Sequence, residues 1–153
     1  METRSQILVV EDEAPIRKLI RASLDPNKYR VVEAESGEEA LQLLTGEQFD
    51  LLVLDLRLGA MSGWDVLDAM RAKNVRDRIR VMILTAQSAE RDILRGWREG
   101  VDQYCMKPFE PAQFVQTLEA VLASSDEDLA RHRQEELEKT QLLHLLDNAF
   151  EGP

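Results

Sequence analysis

Four short apolar stretches of the chain each end in polar side chains that could take part in catalysis or in ion binding. If the stretches are neighbouring parallel strands, their carboxyl ends meet at one edge of a sheet, and the polar side chains gather there. Three carboxylates, a hydroxyl and an ammonium group would then form one site, suited to a divalent cation and a phosphoryl group. These side chains are Glu11 and Asp12, Asp55, Thr85 and Lys107, which follow the apolar residues 7–10, 51–54, 81–84 and 104–106.

The three acids of this set need a positive partner. Two like charges about 4 Å apart repel by ~4 kcal/mol at an effective dielectric constant of about 20, so clustered carboxylates require protonation or a cation. Mg²⁺ suits them because it prefers a few carboxylates together with water and phosphate oxygens. Glu11 and Asp12 would point to opposite faces of a regular strand, so only a loop conformation lets both approach one ion. Asp55 is the carboxylate best placed to accept a phosphoryl group, because it directly follows four apolar residues.

The elements that position this site alternate along the chain, with five strand-like runs separated by stretches of helical spacing. Nearly continuous apolar runs indicate a sheet that helices cover on both faces. Pro15 and Pro111 stand where a first helical turn can begin. Trp64 and Trp97 fall on apolar helical faces, so we expect them to be partly buried. The pattern predicts an α/β fold built on a doubly wound parallel sheet, with runs at residues 7–10, 29–32, 51–54, 81–84 and 104–106.

Composition narrows the class of protein. At 153 residues with 44% hydrophobic side chains, the chain can bury one core, and two domains would be cramped. The formal net charge of −10 opposes attraction to phosphate backbones and anionic membranes, so we expect no direct nucleic-acid or membrane partner. No apolar run approaches the roughly 20 residues that cross a bilayer, and we expect a cytoplasmic protein. Cys105 is the only cysteine, which excludes an intrachain disulfide.

The composition changes near residue 124, and we expect one domain at residues 1–123 followed by a helical extension or linker at residues 124–153. The extension holds 8 acidic and 3 basic residues. Ser124 and Glu127 have the spacing of a capping box, which predicts that a separate helix starts there. The first half of this helix is too polar for three consecutive apolar heptads, so the signal for a coiled coil is weak.

Four motifs in residues 6–123 occur in an order and spacing that resemble those of a known family. Each motif alone is common, but the set is highly specific. The chain is similar to the receiver domain of bacterial two-component response regulators. The motifs are Glu11-Asp12-Glu13, Asp55 with Met61-Ser62-Gly63, Leu84-Thr85-Ala86 and Lys107-Pro108-Phe109.

This resemblance implies a flavodoxin-like fold, with five parallel strands in the order 2-1-3-4-5 and flanking helices. It implies that Asp55 is the phosphoacceptor, which takes a phosphoryl group from a sensor histidine kinase or a phosphotransfer protein. It also implies a bound Mg²⁺ ion, held by Asp12, Asp55 and the backbone carbonyl of Arg57, with Glu11 acting through water. The protein would then be a regulator that assists only its own phosphorylation and dephosphorylation, not an enzyme.

The remaining family positions concern the response to phosphorylation. Thr85 and Lys107 would contact the phosphoryl oxygens. Thr85 and Tyr104 would form the switch that alters the surface of the fourth helix, fifth strand and fifth helix. Apart from the resemblance, Arg57 and Gln87, two residues after Asp55 and Thr85, lie where their side chains could orient or screen an attacking water, and simple exposure to solvent is the alternative.

Two residues depart from the family pattern. Gly59 stands where the family usually has proline, which is expected to loosen the loop after Asp55. Glu11 replaces the commoner aspartate, a change that other members tolerate. Neither departure removes a required chemical group.

Other functions stay open at this level. A Mg²⁺-dependent phosphatase with an aspartyl nucleophile would need a second aspartate two residues later, where this chain has Arg57. An interaction module that is never phosphorylated is another alternative. Residues 142–149 resemble the helix that often leads into a PAS domain, so the chain could be the front module of a longer signalling protein. The C-terminal helix, or the surface of the fourth helix, fifth strand and fifth helix, could also pair two chains.

Overall fold

A computed structural model describes residues 3–86 and 90–150 of the chain. Its five strands are parallel and form one sheet in the order β2-β1-β3-β4-β5, as the resemblance predicts. Each strand begins and ends within two residues of its predicted run. The strands are β1 (Ser5–Val10), β2 (Tyr29–Ala34), β3 (Leu51–Asp55), β4 (Arg80–Thr85) and β5 (Gln103–Met106).

Five helices alternate with the strands and a sixth follows them. Pro15 lies in the first turn of α1 and Pro111 is the first residue of α5, as predicted. Side chains cap other helices: Ser36 accepts a hydrogen bond from the Glu39 backbone, and Ser62 and Asp65 form a capping box. The helices are α1 (Ala14–Ser23), α2 (Gly37–Gly46), α3 (Gly63–Ala72), α4 (Glu90–Arg98), α5 (Pro111–Ala123) and α6 (Asp126–Phe150).

The start of α6 corrects the sequence prediction by one residue. Ser125, not Ser124, caps this helix, and its hydroxyl accepts a hydrogen bond of 3.0 Å from the backbone N–H of Asp128. Ser124 instead belongs to the end of α5, where its hydroxyl donates to the carbonyl of Ala120 at 2.7 Å. Two adjacent serines offer the same capping chemistry, so the local pattern does not distinguish them.

The sheet separates two apolar layers because successive side chains of a strand point to opposite faces. In β1, Leu8 and Val10 pack with residues of α2 and α3, whereas Ile7 and Val9 pack with residues of α1 and α5. All four side chains are fully buried. Burying one such side chain stabilises the fold by about 1.5–3 kcal/mol, so this alternation keeps β1 in register and holds its carboxyl end in place.

Helix α6 packs against α4, near the edge of the sheet that β5 forms. Leu129 in its first turns is buried, and Trp97 of α4 is only 6% exposed. Trp64 on α3 is half-buried, so both tryptophans are buried in part or in full, as predicted. Among the described residues, no helix is apolar enough over a sufficient length to span a membrane.

Candidate functional site

The polar residues predicted to gather at one sheet edge all lie at the carboxyl ends of their strands. Asp55 is the last residue of β3 and Thr85 the last residue of β4. The register aligns these ends, because Asp55 pairs with Leu84 and Thr85 pairs with Met106, which precedes Lys107. Parallel pairing therefore brings residues far apart in the chain to one place.

The acids Glu11, Asp12 and Asp55 form a cluster, in which one carboxylate oxygen from each lies within 4.8 Å of the others. Strand β1 ends at Val10, so Glu11 and Asp12 occupy a loop, which is the conformation that the sequence required for both to face one point. Their exposure differs: Glu11 and Asp55 are buried, whereas Asp12 is exposed. The cluster is thus open to solvent on the Asp12 side.

Lys107 lies against the two buried carboxylates. Its Nζ is 2.7 Å from Glu11 Oε2 and 2.9 Å from Asp55 Oδ2, and the backbone N–H of Lys107 donates to the Thr85 carbonyl at 2.8 Å. The Lys107–Pro108 peptide bond is cis. The lysine side chain is 13% exposed, so solvent screens these ion pairs little.

One ammonium group does not balance three carboxylates, and the pKa values reflect this. Burial, the largest effect, and the charge on Asp55 together raise the pKa of Glu11 from 4.5 to about 7, against the opposing effect of Lys107. Burial works against the charge on Lys107, but its hydrogen bonds to Glu11 and Asp55 outweigh burial and raise its pKa. A site of carboxylate oxygens with surplus negative charge has the chemistry that hard cations prefer.

The loop after Asp55 is held by backbone contacts. The N–H of Arg57 donates to Asp55 Oδ1 at 3.0 Å, while the side chain of Arg57 is exposed. Leu56 and Leu58 are buried. Gly59 has a φ of 80°, which proline cannot adopt, so the departure from the family pattern changes the conformation of this loop.

Thr85 and Tyr104 lie on neighbouring strands, beside the acid cluster and toward α4. Thr85 is 3% exposed. The Tyr104 hydroxyl donates to the backbone carbonyl of Asp92 in α4 at 2.7 Å. Burial, with the charges of Asp92 and Glu99, raises the pKa of Tyr104 well above its ordinary value, so the phenol stays protonated. Gln87 lies outside the described residues.

Sequence reasoning missed a second cation at the site. Arg17 on α1 donates to the backbone carbonyl of Glu11 at 2.6 Å and lies 3.5 Å from Glu33. It thereby fixes the loop that carries Glu11 and Asp12. The available signal was its position one turn into the helix that directly follows this loop.

Comparison with known proteins agrees with this geometry. Residues 7–119 match the family described as response regulator receiver domain. The phosphate regulon transcriptional regulatory protein PhoB of Escherichia coli is 38% identical over 117 residues, which are 76% of this chain and 51% of PhoB. The transcriptional regulatory protein ResD of Bacillus subtilis is 36% identical over 118 residues, 77% of this chain and 48% of ResD. The chain thus spans about half the length of these relatives.

Solved receiver structures are similar over most of this chain. The non-phosphorylated HemR receiver domain from Leptospira biflexa is 35% identical, with a TM-score of 0.73, over 80% of this chain and 97% of that one. The BeF₃-activated DrrB receiver domain is 30% identical, with a TM-score of 0.70, over 80% of this chain and 100% of that one. The chain therefore belongs to the response regulator receiver domain family.

Proposed function

We propose that this protein is a phosphoacceptor signalling domain that receives a phosphoryl group on Asp55. The observation that carries the proposal is the setting of Asp55, which is 3% exposed and has Lys107 Nζ 2.9 Å from one carboxylate oxygen. A buried carboxylate beside a cation and two further acids adds little to an apolar core, and such clusters are typical of reactive sites. Family membership supports the same role.

The transfer that we propose starts from a phosphohistidine of a sensor histidine kinase or a phosphotransfer protein. An oxygen of Asp55 forms the new bond to phosphorus while the bond from phosphorus to the histidine nitrogen breaks, and the imidazole keeps that electron pair. Lys107 stabilises the charge on the phosphoryl oxygens, and the Thr85 hydroxyl donates to one of them. The phosphoryl group on the product carries roughly −1.5 to −2 charges, which attract these donors.

We also propose that Mg²⁺ is the cofactor, held by Asp12, Asp55 and the backbone carbonyl of Arg57, with Glu11 acting through water. Two features favour it: the exposed side of the cluster at Asp12, and three carboxylates against one ammonium group, Lys107, in a site where burial and the charge on Asp55 raise the pKa of Glu11. When bound, the ion neutralises charge on the phosphoryl oxygens.

The output that we propose is a change in the surface of α4, β5 and α5, driven by Thr85 and Tyr104. Residues 1–123 form the receiver unit, and residues 124–153 form a helical extension. The protein acts in the cytoplasm as a regulator rather than an enzyme, through protein partners and not through nucleic acid or a membrane.

The far end of α6 favours a further proposal, that two chains pair there. Four leucines in its last turns, Leu142, Leu143, Leu145 and Leu146, are 46–65% exposed. Pairing through the α4, β5 and α5 surface is also compatible with the family, but α6 covers part of that surface and would have to move. Sedimentation velocity with and without beryllofluoride tests whether phosphorylation changes the association.

The experiment that tests the main proposal is phosphoryl uptake from acetyl phosphate with Mg²⁺, followed on phosphate-affinity gels. We expect uptake in the wild type and none in Asp55→Asn. The matched control is Asp50→Asn, because Asp50 flanks the amino end of the same strand and accepts a hydrogen bond from Gln6 there. Uptake by Asp55→Asn at the wild-type rate would disprove the assignment, and a wild type that binds no Mg²⁺ would favour a non-phosphorylated interaction module.

A further inference from the structure

Helix α6 packs along α4 and lies in front of β5, across a shallow gap. The helix runs from the end of α5 back along α4, with Leu129 buried near its start. Further along, Glu136, Thr140 and Leu143 of α6 line a shallow gap opposite Ile93 and Met106. A partner that binds this surface would therefore meet α6 first.

A partly buried ion pair anchors α6 to the body of the domain. Arg133 Nη1 of α6 lies 2.5 Å from Asp102 Oδ1, in the loop before β5. Asp102 is 4% exposed, and its other oxygen accepts the backbone N–H of Val81 at 2.9 Å. Removing Arg133 takes a cation away from a buried carboxylate, so this pair should hold α6 more firmly than a fully exposed ion pair would.

A row of aromatic rings connects this anchor region to the predicted switch residue. The Trp97 ring makes edge-on contacts with Tyr104 at 5.4 Å and with His132 of α6 at 5.7 Å between ring centres. Each such contact is worth about 0.5–1.5 kcal/mol beyond buried area. A movement of Tyr104 would thus remove one of these two ring contacts of Trp97 and leave the contact with His132 of α6.

Gly96 shows that Tyr104 is held closely in its present position. A Cβ atom at Gly96 would collide with the Tyr104 hydroxyl. A glycine inside a helix costs about 1 kcal/mol relative to alanine, and here it leaves room for the phenol to reach the Asp92 carbonyl. If Tyr104 moved toward Thr85, it would lose this hydrogen bond and its contact with Trp97 together.

We propose that α6 is an internal occupant of the α4–β5 surface and that phosphorylation of Asp55 releases it through Tyr104 and Trp97. The proposal rests on the proposed function, because it takes Asp55 as the phosphoacceptor. In the resting chain, α6 excludes a partner from this surface. By thermodynamic linkage, the factor by which phosphorylation favours release of α6 equals the factor by which release of α6 favours the phosphorylated arrangement.

The test is hydrogen–deuterium exchange of the full chain with Mg²⁺, with and without beryllofluoride as the phosphoryl mimic. We expect beryllofluoride to raise amide exchange in residues 129–143 by about tenfold or more. Arg133→Ala should raise exchange there without beryllofluoride, and should lower the beryllofluoride concentration for half-maximal response about fivefold or more. Arg131→Ala is the matched control, because Arg131 makes an exposed pair with Asp128 on the same helix, and both quantities should stay at wild-type values.

A second variant keeps the proposal testable if Arg133→Ala does not fold. Gly96→Ala acts from the other end of the contact series, since the added methyl group displaces the Tyr104 hydroxyl, and it should loosen α6 in the same way. Normal phosphoryl uptake on Asp55 with unchanged or slower exchange in residues 129–143 would overturn the role of α6 alone. Absence of phosphoryl uptake on Asp55 would overturn the proposed function and this inference with it.

Discussion

Lys107 Nζ lies 2.9 Å from Asp55 Oδ2, although 52 residues separate the two in the chain and the strand β4 lies between their strands. The ammonium group of Lys107 therefore contacts carboxylates that a bound metal ion would also approach. This contact has consequences for metal binding that can be measured directly.

Replacing Lys107 by methionine should strengthen Mg²⁺ binding. The change keeps an unbranched side chain, one atom shorter, but removes a positive charge near Glu11 and Asp55, so the cluster becomes more negative. We expect the dissociation constant for Mg²⁺ at pH 8 to fall about tenfold, as measured by isothermal titration calorimetry. Lys73→Met, on the exposed residue after α3, should have no effect, and an unchanged affinity in Lys107→Met would contradict the prediction.

Replacing Glu11 by glutamine should change how stability depends on pH. The folded chain holds the Glu11 proton up to a pKa of about 7, whereas the unfolded chain releases it near 4.5. The free energy of unfolding should therefore fall, as far as Glu11 contributes, while the pH rises from about 4.5 to about 7. Glutamine has no acidic proton to lose. The free energy of unfolding of Glu11→Gln should therefore rise relative to that of the wild type across this window, by at most about 3 kcal/mol.

Urea unfolding in EDTA between pH 4.5 and 8 measures this difference. Glu13→Gln is the control, because Glu13 is an exposed acid two residues away. A gap between Glu11→Gln and wild type that does not vary with pH would show that Glu11 ionises normally.

The loop after Asp55 should not accept the proline that is usual in the family. Gly59 has a φ of 80°, and a proline there would force the backbone to about −65°. We expect Gly59→Pro to lower the free energy of unfolding by about 2 kcal/mol or more in urea titrations. Gly59→Asn should cost much less, since asparagine tolerates positive φ and a Cβ there meets nothing within 4 Å. Equal stability of the proline and asparagine variants would refute this account.

The side chain of Arg57 should affect the loss of the phosphoryl group more than its uptake. Arg57 is exposed beside Asp55, where its side chain can screen the phosphoryl group from water. Arg57→Ala should shorten the lifetime of the phosphorylated form severalfold and change its rate of formation little. Phosphate release and label uptake measure the two rates, and Arg78→Ala, at the opposite end of the sheet, is the control. Equal changes in both rates would count against the prediction.

Much of the site could be predicted because four of its residues directly follow apolar runs. Runs of four or five residues such as 51–54 have the length of a buried strand, and parallel strands bring their carboxyl ends together. This reasoning placed Asp55, Thr85 and Lys107 at one edge, where the structure also has them. Their roles remain proposals.

Other features depend on contacts that no local pattern encodes. Glu11 and Asp12 are equivalent as adjacent acids, yet one is buried and the other exposed, because only the fold decides which side chain turns inward. Asp102 and Arg133 are 31 residues apart and meet only because α6 folds back along α4. The aromatic row through Trp97 likewise needs three separate elements in place.

The sheet order has a mechanical consequence. Asp55 ends the central strand, which is paired on both sides and buried at all five positions, so the proposed phosphoacceptor lies on a strand that neighbours hold on both edges. Tyr104 belongs to an edge strand of four residues, half-buried or exposed and flanked by one neighbour. We therefore expect β5 to move more easily than β3 when the chain responds, and β4 is the strand that connects the two.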